Sequence, residues 1–210
     1  MTKLLIFDFD GTIADTKSAY YSSIYRNLEK KGLGKKEISM LIDEGLSLRA
    51  TLDKIGLGFI SRWVLHRKII NEVKYYSNEI HKCKNVSYIK EIKQKKILVS
   101  NSLEEFILPI LNHLHLKKYF KEIYGADDFS EKGKFISNYL RKHKILPEES
   151  AYIGDRVADV KLARNIGCTG IIVSGKCAWN SKKELDQASP DFIIGDFSEL
   201  KKVLAHLDKN

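Results

Sequence analysis

The segment LLIFDFDGTIADT, Leu4 to Thr16, decides the architecture of this chain. Four apolar residues, Leu4–Phe7, run into Asp8, Phe9 and Asp10, and then into Gly11, Thr12 and a third acid at Asp15. A short unbroken apolar run of this kind reads as a strand buried on both faces, as in a parallel sheet. Counted through Phe9, it is joined by five more runs: Ile97–Val99, Glu122–Gly125, Ala151–Ile153, Gly170–Val173 and Phe192–Ile194. Between the later ones the spacing turns helical. LEEFILPILNHLHL puts Phe106, Ile107, Ile110, Leu111 and Leu114 on one face, and KFISNYLRKHKI does so with Phe135, Ile136, Tyr139 and Leu140. ADVKLARNIG ends on Gly167, a natural helix stop. Strands alternating with helices predict a doubly wound parallel α/β sheet, a Rossmann-like core.

The first interval breaks that rhythm. About 80 residues separate the first two strands, far more than one crossover helix uses. They carry four helical patterns of their own, SAYYSSIYRNLEKKG, KEISMLIDEG, LRATLDKIG and FISRWVLHRKIINEVKYYSNEI, punctuated by glycines. The expected organisation is a core of residues 1–15 plus 86–210 and a small all-helical insert, a cap, over 16–85.

Charge follows the same division. The chain has 36 Lys+Arg against 27 Asp+Glu, net +9. Residues 17–84 hold 14 of the bases and 7 of the acids, leaving 22 against 20 elsewhere, so the excess belongs to the insert. Phosphorylated small molecules, nucleic acid and anionic surfaces all suit such a balance. No RNP, KH or zinc-finger signature accompanies it, so nucleic acid is not an expected partner. No apolar run approaches the ~18 residues of a membrane span, and nothing before Leu4 resembles a cleavable leader; the cytoplasm is the expected compartment. The three cysteines, Cys83, Cys168 and Cys177, form no CxxC pair, which argues against both a disulfide framework and a thiolate zinc site. Oligomeric state is not legible.

Ligands of such sheets bind at the carboxyl ends of the strands, so what each strand delivers there matters most. The first delivers Asp8, Asp10, Gly11 and Thr12, and the second SNS, Ser100–Ser102. The segment after the third delivers EKGK with Lys132 and Lys134, and the fourth GDRVAD with Asp155 and Asp159. Phosphoryl transfer needs these groups. Asp8 would attack phosphorus to give an aspartyl-phosphate, while Asp10 protonates the leaving oxygen and later takes a proton from water. Mg²⁺ on Asp8, Asp155 and a backbone carbonyl, with a lysine, would neutralise the phosphate, and the Ser100 hydroxyl would hold its oxygens. Gly154 would let the backbone turn beneath the metal. Each piece alone has a plainer reading; SNS before LEEF, for instance, is also a helix N-cap with Glu105 closing a capping box. Joint occurrence at successive strand ends favours the catalytic one.

DFDGTIADT resembles the first motif of the haloacid dehalogenase superfamily, ILVSN its second, and YIGDRVADVKLARNIGC its fourth. The late PDFIIGDFSELKKVL is similar to the C-terminal segment of phosphoglycolate-phosphatase-like members. The resemblance implies Asp8 as nucleophile, Asp10 as acid/base, and Mg²⁺ on Asp8, the Asp10 carbonyl and Asp155, with Thr12, Gly154 and Asp159 in support. It implies phosphate binding by Ser100 and Asn101. The third motif departs from the family's frequent Lys-Pro: Lys132, just ahead of the periodic helix, is preferred, with Lys134 as the alternative. The insert matches the helical type-1 cap, whose specificity loop would fall on Gly45–Arg49, with Arg49 as the candidate substrate contact. The implied activity is a Mg²⁺-dependent phosphatase acting on a small phosphorylated metabolite, a phosphoglycolate-like phosphomonoester. A sugar phosphomutase shares these motifs, and a non-catalytic phospho-acceptor module shares the aspartates, hydroxyl and lysine but needs neither the second aspartate nor an 80-residue cap.

Overall fold

The computed structural model describes residues 1–43, 48–75 and 77–209, the side chains at 42, 43, 49, 50 and 77 excepted. Strand β1 (Leu4–Phe7) is followed by two strands of two residues each, β2 (Ala14–Asp15) and β3 (His81–Lys82), and then by β4 (Lys95–Val99), β5 (Glu122–Tyr124), β6 (Ser150–Gly154), β7 (Thr169–Val173) and β8 (Phe192–Ile194). Six of them form one parallel sheet in the order β5-β4-β1-β6-β7-β8. All six apolar runs of the sequence are strands of that sheet, and the architecture is the α/β doubly wound one.

The chain divides into two compact units, Met1–Asp15 with His81–Asn210, and Thr16–Ile80. The second is wholly helical among its described elements: α1 (Lys17–Glu29), α2 (Lys35–Asp43), α3 (Leu48–Asp53) and α4 (Phe59–Tyr75), then a short 3₁₀ turn. Helix α4 lies against α1 and α3. Between α1 and α4, Glu72 accepts hydrogen bonds from Ser23 at 2.7 Å and Asn27 at 2.9 Å. The chain rejoins the first unit at His81, five residues earlier than the sequence suggested. There β3 pairs antiparallel with β2, Cys83 N–H donates to the Ile13 carbonyl at 3.1 Å, and Lys84 and Asn85 both bind Asp196. Strands of two residues give no period to read.

The first unit carries α5 (Glu104–His113), α6 (Lys132–Lys142), α7 (Val157–Ile166), α8 (Lys182–Gln187) and α9 (Leu200–Leu207). The five residues that spacing set on one face of α5 and its continuation are all buried. Gly167 ends α7 with φ +85°, the left-handed value that glycine adopts without strain. Strand β1 is fully buried along its length, and its side chains alternate between two layers. Leu4 and Ile6 join Ile97, Val99, Tyr152 and the inner faces of α6 and α7. Phe7, on the opposite side, packs on Phe120 and Phe197. All three cysteines are free and buried. Among the described residues, no helix is long and apolar enough to cross a membrane.

The amino ends of β4 and β5 are tied by a polar network. Lys95 Nζ sits 2.9 Å from Glu122 Oε1 and donates to Tyr139 Oη at 2.6 Å, while Tyr124 Oη donates to Glu122 Oε2 at 2.6 Å. Burial pushes the Glu122 carboxyl up, but the hydrogen bonds from Tyr124, Lys95 and Tyr139 outweigh it and hold it at about 2, against an ordinary 4.5. A depressed acid stabilises the fold above its unfolded pKa and ceases to do so as pH falls through the folded one. Glu122→Gln therefore lowers the melting temperature at neutral pH, and thermal melts should show the gap to wild type closing between about pH 4.5 and 2.

Candidate active site

Register places the carboxylates. Phe7 of β1 lies opposite Ile153 of β6 and Leu98 of β4, and the Asp8 N–H continues the ladder to the Ile153 carbonyl at 2.8 Å. Asp8 thus leaves the sheet level with Gly154, at the carboxyl end of its two central strands. The first connection from β1 leads to β4 on one side, and β6 returns on the other, so this is the point where strand order reverses.

Asp8, Asp155 and Asp159 are all buried, and each offers an oxygen within 4.8 Å of the others. Lys132, the first residue of α6, is also buried and puts Nζ 3.0 Å from Asp8 Oδ1. Asp155 accepts from Thr12 Oγ1 at 3.0 Å on one oxygen and from the Trp179 N–H at 2.7 Å on the other. Asp159 stands in the first turn of α7. Its Oδ2 accepts the N–H groups of Asp155 at 3.1 Å and Arg156 at 2.9 Å, and its Oδ1 accepts Tyr152 Oη at 3.2 Å. It therefore fixes the turn that carries Asp155. Burial, followed by repulsion from Asp159 and Asp8, pushes the Asp155 carboxyl up; burial and Asp8 do the same to Asp159, with Lys132 and Arg156 opposing.

Asp10 is half-buried and takes a 2.6 Å hydrogen bond from Ser102 Oγ. Ser100 is buried, and its Oγ accepts the Ser102 N–H at 3.1 Å. Helix α5 begins at Glu104 with Leu103 before it, so SNS is not its side-chain cap. Asn101 points to solvent. Of the two candidate lysines, Lys134 is largely exposed and pairs with Glu131 at 2.6 Å, away from Asp8. Gly45–Ser47 and the Arg49 side chain lie outside the described residues.

Glycine is required here for closeness. A Cβ on Gly154 would come within 2.5 Å of Asp159 Cγ and 2.6 Å of its Cβ. The anticipated turn beneath a metal is not what this glycine supplies: it ends β6 in line and leaves room for Asp159. Gly11 does turn, with φ +75°, and a Cβ there would lie 2.5 Å from Trp179 Cδ1 and 2.8 Å from Asp155 Cγ.

Three residues of this site escaped the sequence reading, Tyr152, Trp179 and Asn180, and Ser102, delivered with SNS, was given no role of its own. Trp179 packs under the Arg156 guanidinium, 4.3 Å from its ring centroid, and Asn180 Oδ1 accepts the Val157 N–H at 3.1 Å. Both follow β7, a strand of the same sheet, so the strand-end rule that located Asp155 also pointed to this loop.

A family model described as haloacid dehalogenase-like hydrolase matches residues 5–173. The chain belongs to the haloacid dehalogenase-like hydrolase family. Among relatives, a phosphoglycolate phosphatase of Aquifex aeolicus is 29% identical over 96% of both chains, and one of Vibrio vulnificus is 23% identical over the same share. The fold matches the crystal structure of a predicted phosphoglycolate phosphatase from Haemophilus somnus, with TM-score 0.82 at 20% identity over 97% of this chain and 98% of that one. It also matches CbbY of Rhodobacter sphaeroides in complex with phosphate, with TM-score 0.77 at 16% identity over 95% and 96%.

Does this haloacid dehalogenase-like site fit a metal? Three buried carboxylates face a single lysine, and oxygen-only donors of this charge are the set that hard divalent cations take. A cation among them would offset the burial and the mutual repulsion that raise Asp155 and Asp159. The residues fit the group.

Gly154→Ala has a direct readout. The added methyl must displace the Asp159 carboxylate, an overpacking that costs about 1–3 kcal/mol. Denaturant melts should show that loss, whereas the same change at Gly34, where a Cβ meets nothing within 4 Å, should not.

Proposed function

We propose that the protein is a Mg²⁺-dependent phosphatase that hydrolyses a small phosphomonoester of the phosphoglycolate type through an aspartyl-phosphate on Asp8. The observation that carries this reading is the buried Asp8–Lys132 pair at 3.0 Å, beside Asp155. A carboxylate nucleophile held against an ammonium is presented in one geometry, beside a positive charge that a phosphate oxygen can also meet. The names and full-length coverage of the Aquifex and Vibrio relatives support the substrate class.

In this mechanism an Asp8 oxygen forms a bond to phosphorus as the ester P–O bond breaks, and the leaving alkoxide takes the proton of Asp10. Asp10 then removes a proton from water, whose oxygen attacks the acyl phosphate and releases inorganic phosphate, restoring the Asp8 carboxylate. Lys132 and the Ser100 hydroxyl hold phosphate oxygens, with Asn101 at the entrance. Thr12 and the Trp179 N–H orient Asp155, and Asp159 anchors its backbone. Mg²⁺, held by Asp8, Asp155 and the Asp10 carbonyl, would supply the charge neutralisation that lets a carboxylate meet a phosphate dianion. Ser102, hydrogen-bonded to Asp10, keeps that acid turned toward the leaving group.

Purified protein is assayed for phosphate release from phosphoglycolate and a panel of phosphorylated metabolites. Release should require Mg²⁺, vanish with EDTA and fall by at least about a thousandfold in Asp8→Asn. Retained turnover in Asp8→Asn refutes the nucleophile. Asp10→Asn should accumulate acid-precipitable ³²P-protein from labelled substrate, and dephosphorylation at the wild-type rate would refute its role.

The lysines give an independent check. Lys132→Met should reduce kcat/KM by about a hundredfold, while Lys134→Met, on an exposed side chain, should stay within about twofold. Steady-state kinetics of the two variants decide it.

A further inference from the structure

Tyr152 is fully buried in the centre of β6, and two separate contacts carry it into the site. Its hydroxyl donates to Asp159 Oδ1 at 3.2 Å, and its ring lies beneath Lys132, with Nζ 5.1 Å from the centroid. The rest of the side chain belongs to the core layer of Leu4, Ile6, Ile97, Val99, Ile136 and Tyr139. Lysine has a long, flexible stem and, once buried, one charge to satisfy. Asp8 satisfies it from one side. The side that faces the core is apolar, and there an aromatic face is the surface that favours a cation, where an aliphatic one would not. The hydroxyl bond to Asp159 fixes the plane of the ring, so Asp159 orients the surface on which Lys132 rests.

We propose that Tyr152 is a positioning residue: its ring face holds the Lys132 ammonium in contact with Asp8, and its hydroxyl bond to Asp159 keeps that face in place. The functional half of the proposal rests on the phosphatase reading above; the geometric half does not.

The two halves are tested separately. In NMR spectra of the full-length protein, the Lys132 side-chain Hε and ammonium resonances, assigned with Lys132→Arg, should lie upfield of those of the exposed lysines through the ring current. Tyr152→Phe should keep that shift and Tyr152→Leu should lose it. In binding titrations with inorganic phosphate and Mg²⁺, Tyr152→Leu should weaken affinity about tenfold, and Tyr152→Phe by no more than about threefold. In a Lys132→Met background Tyr152→Leu should add less than about twofold, because the ring then has no cation to hold.

A Lys132 signal without the upfield shift in wild type overturns the proposal, and this measurement does not depend on whether Tyr152→Leu folds. Equal losses in the Phe and Leu variants, or additive losses with Lys132→Met, overturn it as well. Wild-type protein that neither binds phosphate nor hydrolyses any ester sinks the phosphatase reading, yet the ring-current comparison still decides the placement of Lys132.

Discussion

Three carboxylates and one ammonium share a buried pocket at the carboxyl ends of β1 and β6, and the surrounding structure is arranged to make that arrangement tolerable. Isolated charges taken out of water are costly enough that they normally neutralise instead. Here each carboxylate is given donors. Asp8 has Lys132 and its neighbour's N–H, from Phe9 at 2.8 Å. Asp155 has Thr12 and the Trp179 N–H, and Asp159 has two backbone N–H groups and Tyr152. These donors come from four stretches of chain, at residues 9–12, 132, 152–156 and 179, so the site is assembled from across the α/β unit and no one motif suffices. Burial first and mutual repulsion second raise Asp155 and Asp159, and a divalent cation would offset both.

Most of this was legible because two simple periods determine it. Along β1, residues 4, 6 and 8 point to one side, so an Asp at position 8 must aim at the layer containing α6 and Tyr152. Along α6, residues 132 and 134 are about 200° apart, so only one of the two lysines can face Asp8. The sequence located both lysines and preferred the first because it precedes the apolar pattern. The structure supplies the stronger reason, the phase of the helix relative to Ile136, Tyr139 and Leu140.

What the sequence hid has equally physical causes. Strands β2 and β3 are two residues each and their partners lie in distant segments, so the return of the chain to the first unit has no local signature. Ser102 looks like a helix cap because Ser and Asn precede α5 and two glutamates open it, and only the fold shows its hydroxyl turned to Asp10. Trp179 contributes to Asp155 through its backbone, and a main-chain donor is indifferent to residue type. Tyr152 reads as one more apolar member of a buried strand, since nothing in sequence marks which face of an aromatic ring a cation will occupy. Gly154 was expected for its torsional freedom and is needed for its missing side chain.

The pair that opens the chain, Asp8 and Asp10, shows why identical side chains two residues apart need not share a task. Asp8 continues the ladder of β1, is buried, and meets the Lys132 ammonium. Asp10 lies beyond the sheet, where the chain bends at Gly11; it is more exposed, and the Ser102 hydroxyl donates to it. In the proposed mechanism the first is the nucleophile and the second the acid/base. The difference between the two positions therefore originates in backbone geometry. The strand ends after Phe7, Asp8 keeps its alignment, and Asp10 does not. A substitution that extended β1 through Asp10 would erase the distinction even with both aspartates in place.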